Sequence, residues 1–215
     1  MTNPLYKHIR ILQELGYGHI FVENAMGSAK EKEKQLKEID EEIQQCQKCD
    51  LYKSRKQAVL GEGNPDSPLV FIGEAPGGDE DKLGRPFVGR AGKLLSKLIE
   101  ATGHKRKEFY ITNICKCRPP NNRTPTPWEM EACFPYLEQQ LQIIKPKVLC
   151  LLGATAARAF LKRNVAITKE RGSIINWNDK LLYLTYHPAY VLRNPNAESI
   201  LFKDIQKAIN LAIEK

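Results

Sequence analysis

The sequence predicts an α/β fold: a mainly parallel, four-stranded central sheet covered by helices on both faces. Three observations carry this expectation. Four short apolar runs, Leu69-Val70-Phe71-Ile72, Phe109 to Ile114, Lys147 to Leu152 and Leu181 to Tyr186, have the length and content of buried strands. Segments with apolar residues at helical spacing alternate with these runs, an order that favours parallel pairing under two helical layers. Turn residues close each run: Gly73 to Gly78, the Lys116–Pro127 loop, Gly153, and His187-Pro188.

In chain order, residues 1–27 read as a weak helical segment, with Ile9, Leu12 and Leu15 as a docking stripe. Residues 28–45 read as a helix with Ser28 at its N-cap and Leu36, Ile39 and Ile43 on one face. Its Glu–Lys pairs make a solvated face. Cys46-Gln47-Lys48-Cys49 follows, then Leu51-Tyr52-Lys53-Ser54-Arg55, then a loop from Gly61 to Ser67 into the first strand. Pro76, Gly77 and Gly78 disfavour strand and helix, so the chain turns outward at Glu74. An acidic loop carrying the isolated aromatic Phe87 leads to a helix opened by Gly89-Arg90-Ala91-Gly92, with Leu94, Leu95, Leu98 and Ile99 inward. The second strand is followed by a loop holding Arg118 and Arg123, then by a helix from Trp128 to Ile144. A short helix from Ala154 follows the third strand, and Ala197 to Glu214 forms the closing helix.

At 215 residues the chain fits one domain, with or without a small extension. Lys and Arg number 33 against 25 Asp and Glu, a net charge of +8 that suits a polyanionic partner without demanding one. No apolar run approaches the roughly 20 residues of a membrane span, so no membrane association is expected. The first residues lack the apolar core of a secretory signal, which predicts a cytoplasmic protein. In that reducing compartment six cysteines favour metal binding or catalysis over disulfides.

Two groups of residues point to chemistry. Glu74, Asn113 and His187 each sit at the carboxyl end of a predicted strand, and in a parallel sheet those ends share one edge, where ligands bind. Cys46 and Cys49 form a C-x2-C knuckle, to which Cys117 and Cys133 can add two thiolates. Four thiolates suit zinc or an iron–sulfur cluster alike. Cys150 lies inside a strand and reads as a small apolar core residue, whereas Cys115, two residues from Cys117, is ambiguous.

The segments GEAPG, GRPFVGRAGKLL, TNICKCRPPNNRTP and HPAYVLRNP occur in this order. Together they resemble the family 4 uracil-DNA glycosylases, from about Cys46 to the C-terminus. Residues 1–40 fall outside the resemblance and are expected to be an N-terminal helical extension ahead of a domain at 41–215. The resemblance implies a three-layer α/β/α glycosylase fold. It also implies a structural [4Fe-4S] cluster on Cys46, Cys49, Cys117 and Cys133, choosing Cys117 over Cys115 and iron–sulfur over zinc. Phe87 would stack on uracil. Asn113 would read its Watson–Crick edge, donating to O4 and accepting from N3–H, a pattern that cytosine reverses. His187 would donate to O2 as negative charge gathers there. Glu74 would position water or stabilise the developing positive charge on the sugar. Gly73 and Ala75 would lend backbone, and Glu80 would stand against a thymine methyl group.

The target nucleotide must be flipped out of the helix. Val191 or Leu192 is the expected wedge, with Arg193 on a phosphate and Arg118 on the DNA-facing loop. The Asn113–Pro127 region holds no histidine that could trap the sugar, so turnover is expected. The expected partner is uracil-containing DNA, the product free uracil, and the acting form a monomer. A non-catalytic iron–sulfur or zinc DNA-binding module also fits the charge and cysteines, but leaves the acid, amide and imidazole at three strand tips unexplained. A nucleotide-binding Rossmann enzyme fits poorly, because Gly73 to Gly78 lacks G-x-G-x-x-G.

Overall fold

In a computed structural model, which describes residues 18–214 and the side chains from 29 onward, the core is a six-stranded sheet between two helical layers. The strands are β1 (Glu62–Gly63), β2 (Leu69–Gly73), β3 (Tyr110–Asn113), β4 (Val148–Leu152), β5 (Ile174–Trp177) and β6 (Lys180–Thr185). They lie in the order β1-β3-β2-β4-β6-β5. The inner four are parallel, as expected, and β1 and β5 are antiparallel additions at the edges. The expected four-stranded sheet is therefore corrected to six. β1 has only two residues, too few for a pattern, and β5 alternates weakly because it is half exposed. A tight turn joins β5 to β6, with Asn178 at φ +54, which asparagine tolerates better than most residues.

Side-chain alternation splits the core in two. Val70, Ile72, Leu149, Leu151, Leu182 and Leu184 face one layer, with Ile43 of α1 (Gly18–Gln45) and Leu137 and Leu141 of α4 (Pro127–Ile144). Leu69, Phe71, Val148, Cys150 and Leu152 face the other, with Leu95 and Ile99 of α3 (Arg90–Ala101) and Leu201, Ile205 and Ile209 of α8 (Glu198–Ile213). Cys150 is fully buried, the core residue that its position predicts.

Three local expectations change. α1 runs through Ser28, so that residue is not a helix start. The acidic loop contains a short helix, α2 (Gly78–Leu83), with three acids in its first turn, where the helix dipole favours them. The segment after His187 is also helical, as α7 (Pro188–Arg193), following α5 (Ala154–Leu161) and α6 (Ile167–Glu170). The stripe of Ile9, Leu12 and Leu15 lies outside the described residues. Among the described residues no helix is long and apolar enough to cross a membrane.

A buried charge network fixes the end of β6 just before His187. Asp204 of α8 is 2% exposed. It accepts from Thr185 Oγ1 at 2.7 Å, Tyr183 Oη at 3.1 Å and Arg171 Nε at 2.8 Å, with a second bond from Arg171 Nη2. Arg171→Met leaves this carboxylate buried without its counter-charge and should destabilise the fold by about 3–5 kcal/mol. Urea unfolding checks this, and a change below about 1 kcal/mol would contradict it.

Candidate active site

The inner strands end on one rim, and their tips gather distant residues. Gly73 stands directly opposite Asn113 in the β2–β3 register. The pairing continues past the strand ends, where Ile114 N–H donates to Gly73 O and Cys115 N–H to Glu74 O, both at 3.0 Å. Glu74 is thereby held beside Asn113, while β6 delivers His187 from the far side of β4.

These tips enclose a cavity of about 490 Å³, whose walls include Glu74, Phe87, Asn113, His187, Tyr190 and Arg193. Ala75 and Glu80 also line it. Gly73 lies beneath: a Cβ there would fall 2.4 Å from both Asn113 Oδ1 and Phe87 Cζ. Only glycine lets those two side chains meet over β2.

Phe87 adopts φ +52, an uncommon conformation for a bulky residue. Gly92 makes it possible, since a Cβ there would sit 1.7 Å from the Phe87 carbonyl oxygen. The first turn of α3 can therefore close on Phe87 and press its ring over the cavity, 5.7 Å from the His187 ring. Backbone strain of this kind persists where the surroundings over-determine it, and it concentrates at functional sites.

Glu80 braces the same wall. Its Oε1 accepts from Val88 N–H at 2.9 Å and Gly89 N–H at 2.8 Å, and its Oε2 from Gly77 N–H at 3.1 Å. One carboxylate thus joins the glycine loop after β2 to the loop carrying Phe87. Glu74, in contrast, has no ion pair among the described residues and lines the cavity.

The imidazole of His187 has a defined protonation and tautomer. Burial, with the nearby Arg193 charge, pulls its pKa down to about 4, so the ring is neutral near pH 7. Its Nδ1 accepts from Ala189 N–H at 3.1 Å, the first turn of α7, which leaves the proton on Nε2. His187 is a neutral donor.

Asn113 is 2% exposed, and its Oδ1 has no hydrogen-bond partner. An orphaned buried acceptor costs about 1–3 kcal/mol, so it calls for a ligand donor.

The DNA-facing candidates separate. Arg193 is exposed at the mouth. Val191 is 1% exposed and packs in the α3/α8 core, so it cannot be the expected wedge. The helical turn of α7 rotates it inward, which six residues of sequence do not reveal; Leu192 is half-buried beside it. Arg118 does not line the cavity but donates to Asn122 Oδ1 at 2.7 Å within its own loop. Two contributors were not singled out from the sequence. Tyr190, in the first turn of α7 that His187 caps, also lines the cavity. Arg123 is locked to Glu129 by bonds of 2.6 and 2.8 Å, fixing the loop wall at the start of α4.

Cys117 belongs to this loop and Cys133 to α4, which follows it. Cys117 and Cys133 are buried, and Cys46 and Cys49 pack against the same core cluster. Arg55 Nη1 donates to Cys117 Sγ at 2.9 Å and Lys116 N–H to Cys133 Sγ at 3.2 Å, so both sulfurs sit before donors that stabilise thiolates. Burial pushes the Cys49 thiol up from its ordinary value. Cys115 Sγ donates to Glu129 O at 3.8 Å, and the neighbouring Cys133 thiol, with burial, pushes the Cys115 thiol up. Among the described residues no three His, Cys, Asp or Glu side chains form a ready-made single-ion site.

A family model described as the Uracil DNA glycosylase superfamily matches residues 60–210. A type-4 uracil-DNA glycosylase of Thermotoga maritima is 48% identical over 181 residues, covering 82% of this chain and 94% of that protein. A type-4 uracil-DNA glycosylase of Sulfurisphaera tokodaii is 46% identical, covering 83% and 85%. One from Saccharolobus solfataricus is 47% identical, covering 79% and 82%.

Proposed function

The chain belongs to the type-4 uracil-DNA glycosylases, and from that premise we propose how this cavity excises uracil. The enzyme takes uracil-containing DNA, hydrolyses the N-glycosidic bond of the flipped deoxyuridine, and releases free uracil. It leaves an abasic site in an intact strand.

The observation that carries the reading is the orphaned Oδ1 of Asn113, buried beside Phe87 over Gly73. Uracil N3–H is the donor it lacks, and the carboxamide N–H would donate to O4. Phe87 covers the ring. His187 Nε2–H points to O2, where charge collects as the base departs, and a preorganised neutral donor is worth about 2.7–4 kcal/mol there. Glu74, one residue beyond the floor of the cavity, holds the attacking water or faces the cationic sugar. Glu80 cannot swing aside without breaking three backbone bonds, so it is a rigid wall against a 5-methyl group. Leu192 follows the departing nucleotide into the stack while Arg193 takes a phosphate, and Arg118 faces the DNA from the adjoining loop.

Cys46, Cys49, Cys117 and Cys133 would hold a [4Fe-4S] cluster, in keeping with the N–H donors on Cys117 and Cys133. When bound, the cluster supplies cross-linking between the N-terminal knuckle and the loop after β3, and no chemical step. We place residues 1–40 as an extension ahead of the catalytic domain at 41–215, with Leu36 and Ile39 of α1 packed into that domain's core, and the enzyme in the cytoplasm as a monomer.

Uracil release from a single-uracil oligonucleotide tests the function. The brown protein should liberate uracil and leave an alkali-labile strand, and failure to do so would end the proposal. Visible absorbance lost with Cys133→Ala but kept with Cys150→Ala would support the ligand set.

A further inference from the structure

We propose that Lys116 is a positioning residue for base reading: its ammonium fixes the Asn113 peptide, while its own main chain is anchored at the thiol centre. This deepens the reading of Asn113 above and rests on it.

Lys116 is 1% exposed. An ammonium group so placed is costly unless its donors are satisfied. Here Nζ donates to Thr112 Oγ1 at 2.7 Å, Asn113 O at 2.9 Å and Gln140 Oε1. The acceptors are themselves held: Thr112 Oγ1 donates to Leu60 O at 2.7 Å, and Gln140 Nε2 donates to Leu60 O and Tyr110 Oη, both at 3.0 Å. The network is buried and its geometry is determined on every side.

The Asn113 carbonyl has particular need of this support. β1 pairs with β3 only at Tyr110 and Ile111, so Asn113 lies beyond the last antiparallel partner. The ammonium fills the place a longer β1 would have taken. At its other end, Lys116 donates its N–H to Cys133 Sγ at 3.2 Å and accepts at its carbonyl from Val59 N–H at 2.7 Å. The side chain folds back from this anchor beneath the tip of β3. A tilt of the Asn113 peptide would swing the carboxamide away from the uracil edge, and small displacements of reading groups are expensive.

Lys116→Met keeps the length and removes the charge and the donors. It is made in the wild-type protein and in Asn113→Ala, with kcat/KM on uracil-containing DNA, Kd for free uracil by calorimetry, and Kd for undamaged DNA measured for each. In the wild-type background, Lys116→Met should lower kcat/KM and weaken free-uracil binding by about 30-fold each, with undamaged-DNA affinity unchanged within about twofold. In Asn113→Ala the same change should cost no more than about twofold further, because the residue it acts through is gone. An equal loss in both backgrounds, or unchanged free-uracil binding, would overturn the inference. Thr112→Val, which removes one acceptor, should show a smaller loss of about 3–10-fold with the same dependence on Asn113, and it decides the question if Lys116→Met does not fold. Full activity and uracil affinity in Asn113→Ala alone would instead defeat the underlying reading of Asn113.

Discussion

Asn113→Ala is expected to lower kcat/KM on uracil-containing DNA by about 10³-fold while leaving affinity for undamaged DNA nearly unchanged. Two groups on the uracil edge, N3–H and O4, lose their partner and stay buried, which is the circumstance that makes a missing hydrogen bond expensive. Arg193, the proposed phosphate contact, lies at the mouth and is untouched. The substitution also carries an unusual stability prediction. In the free enzyme Asn113 Oδ1 is an unsatisfied buried acceptor, so its removal should leave the melting temperature unchanged or raise it. The β3 network should survive, since Lys116 bonds the Asn113 main-chain carbonyl and not its side chain. A variant that keeps more than about a tenth of the activity, or that melts well below the parent, would show Asn113 to be a structural residue.

His187→Ala should lower kcat by about 10²–10³-fold, the range for a lost donor to a developing oxyanion. The pH dependence is more discriminating. Burial and Arg193 hold the ring near a pKa of about 4, below the ordinary histidine value, so it is already neutral at pH 6. The rate should show no limb near pH 6.5, and ring nitrogen shifts should report a neutral Nε2–H tautomer down to about pH 5. The linkage has a definite sign. The unfolded chain takes up the proton first, so this residue lowers stability as pH falls from about 6.5 towards 4 and has no effect above that window. A kinetic pKa near 6.5 that disappears in His187→Ala would mean the ring works as a cation, and the neutral-donor reading would fall.

Particular residues show how much was legible in advance. Glu74, Asn113 and His187 were readable as a group, because buried strands have a short apolar signature and parallel strands share one exit edge. In the folded chain all three line one cavity. Phe87 could be singled out as an isolated aromatic, but its left-handed backbone and its dependence on Gly92 could not, because that approach is made by a helix packing back on the loop. Val191 failed as a wedge for a related reason: a six-residue helix is too short to declare its inner face. Glu80 could be named only through the resemblance and Arg123 only as a loop charge, yet one holds three backbone N–H groups and the other is clamped by Glu129. β1 and β5 went unseen because edge strands are short and half-solvated.

From its residues alone, then, this chain determined the parallel core, the edge that Glu74, Asn113 and His187 share, the C-x2-C knuckle and the family resemblance. Each of these follows from local periodicity, chain order or motif, which need no knowledge of packing. Only the tertiary structure decided that Asn113 keeps an unpartnered oxygen, that His187 is neutral with its proton on Nε2, and that Lys116 lies buried beneath Asn113. Protonation state and hydrogen-bond debt depend on what surrounds a group in three dimensions, and those neighbours come from parts of the chain that no linear pattern brings together.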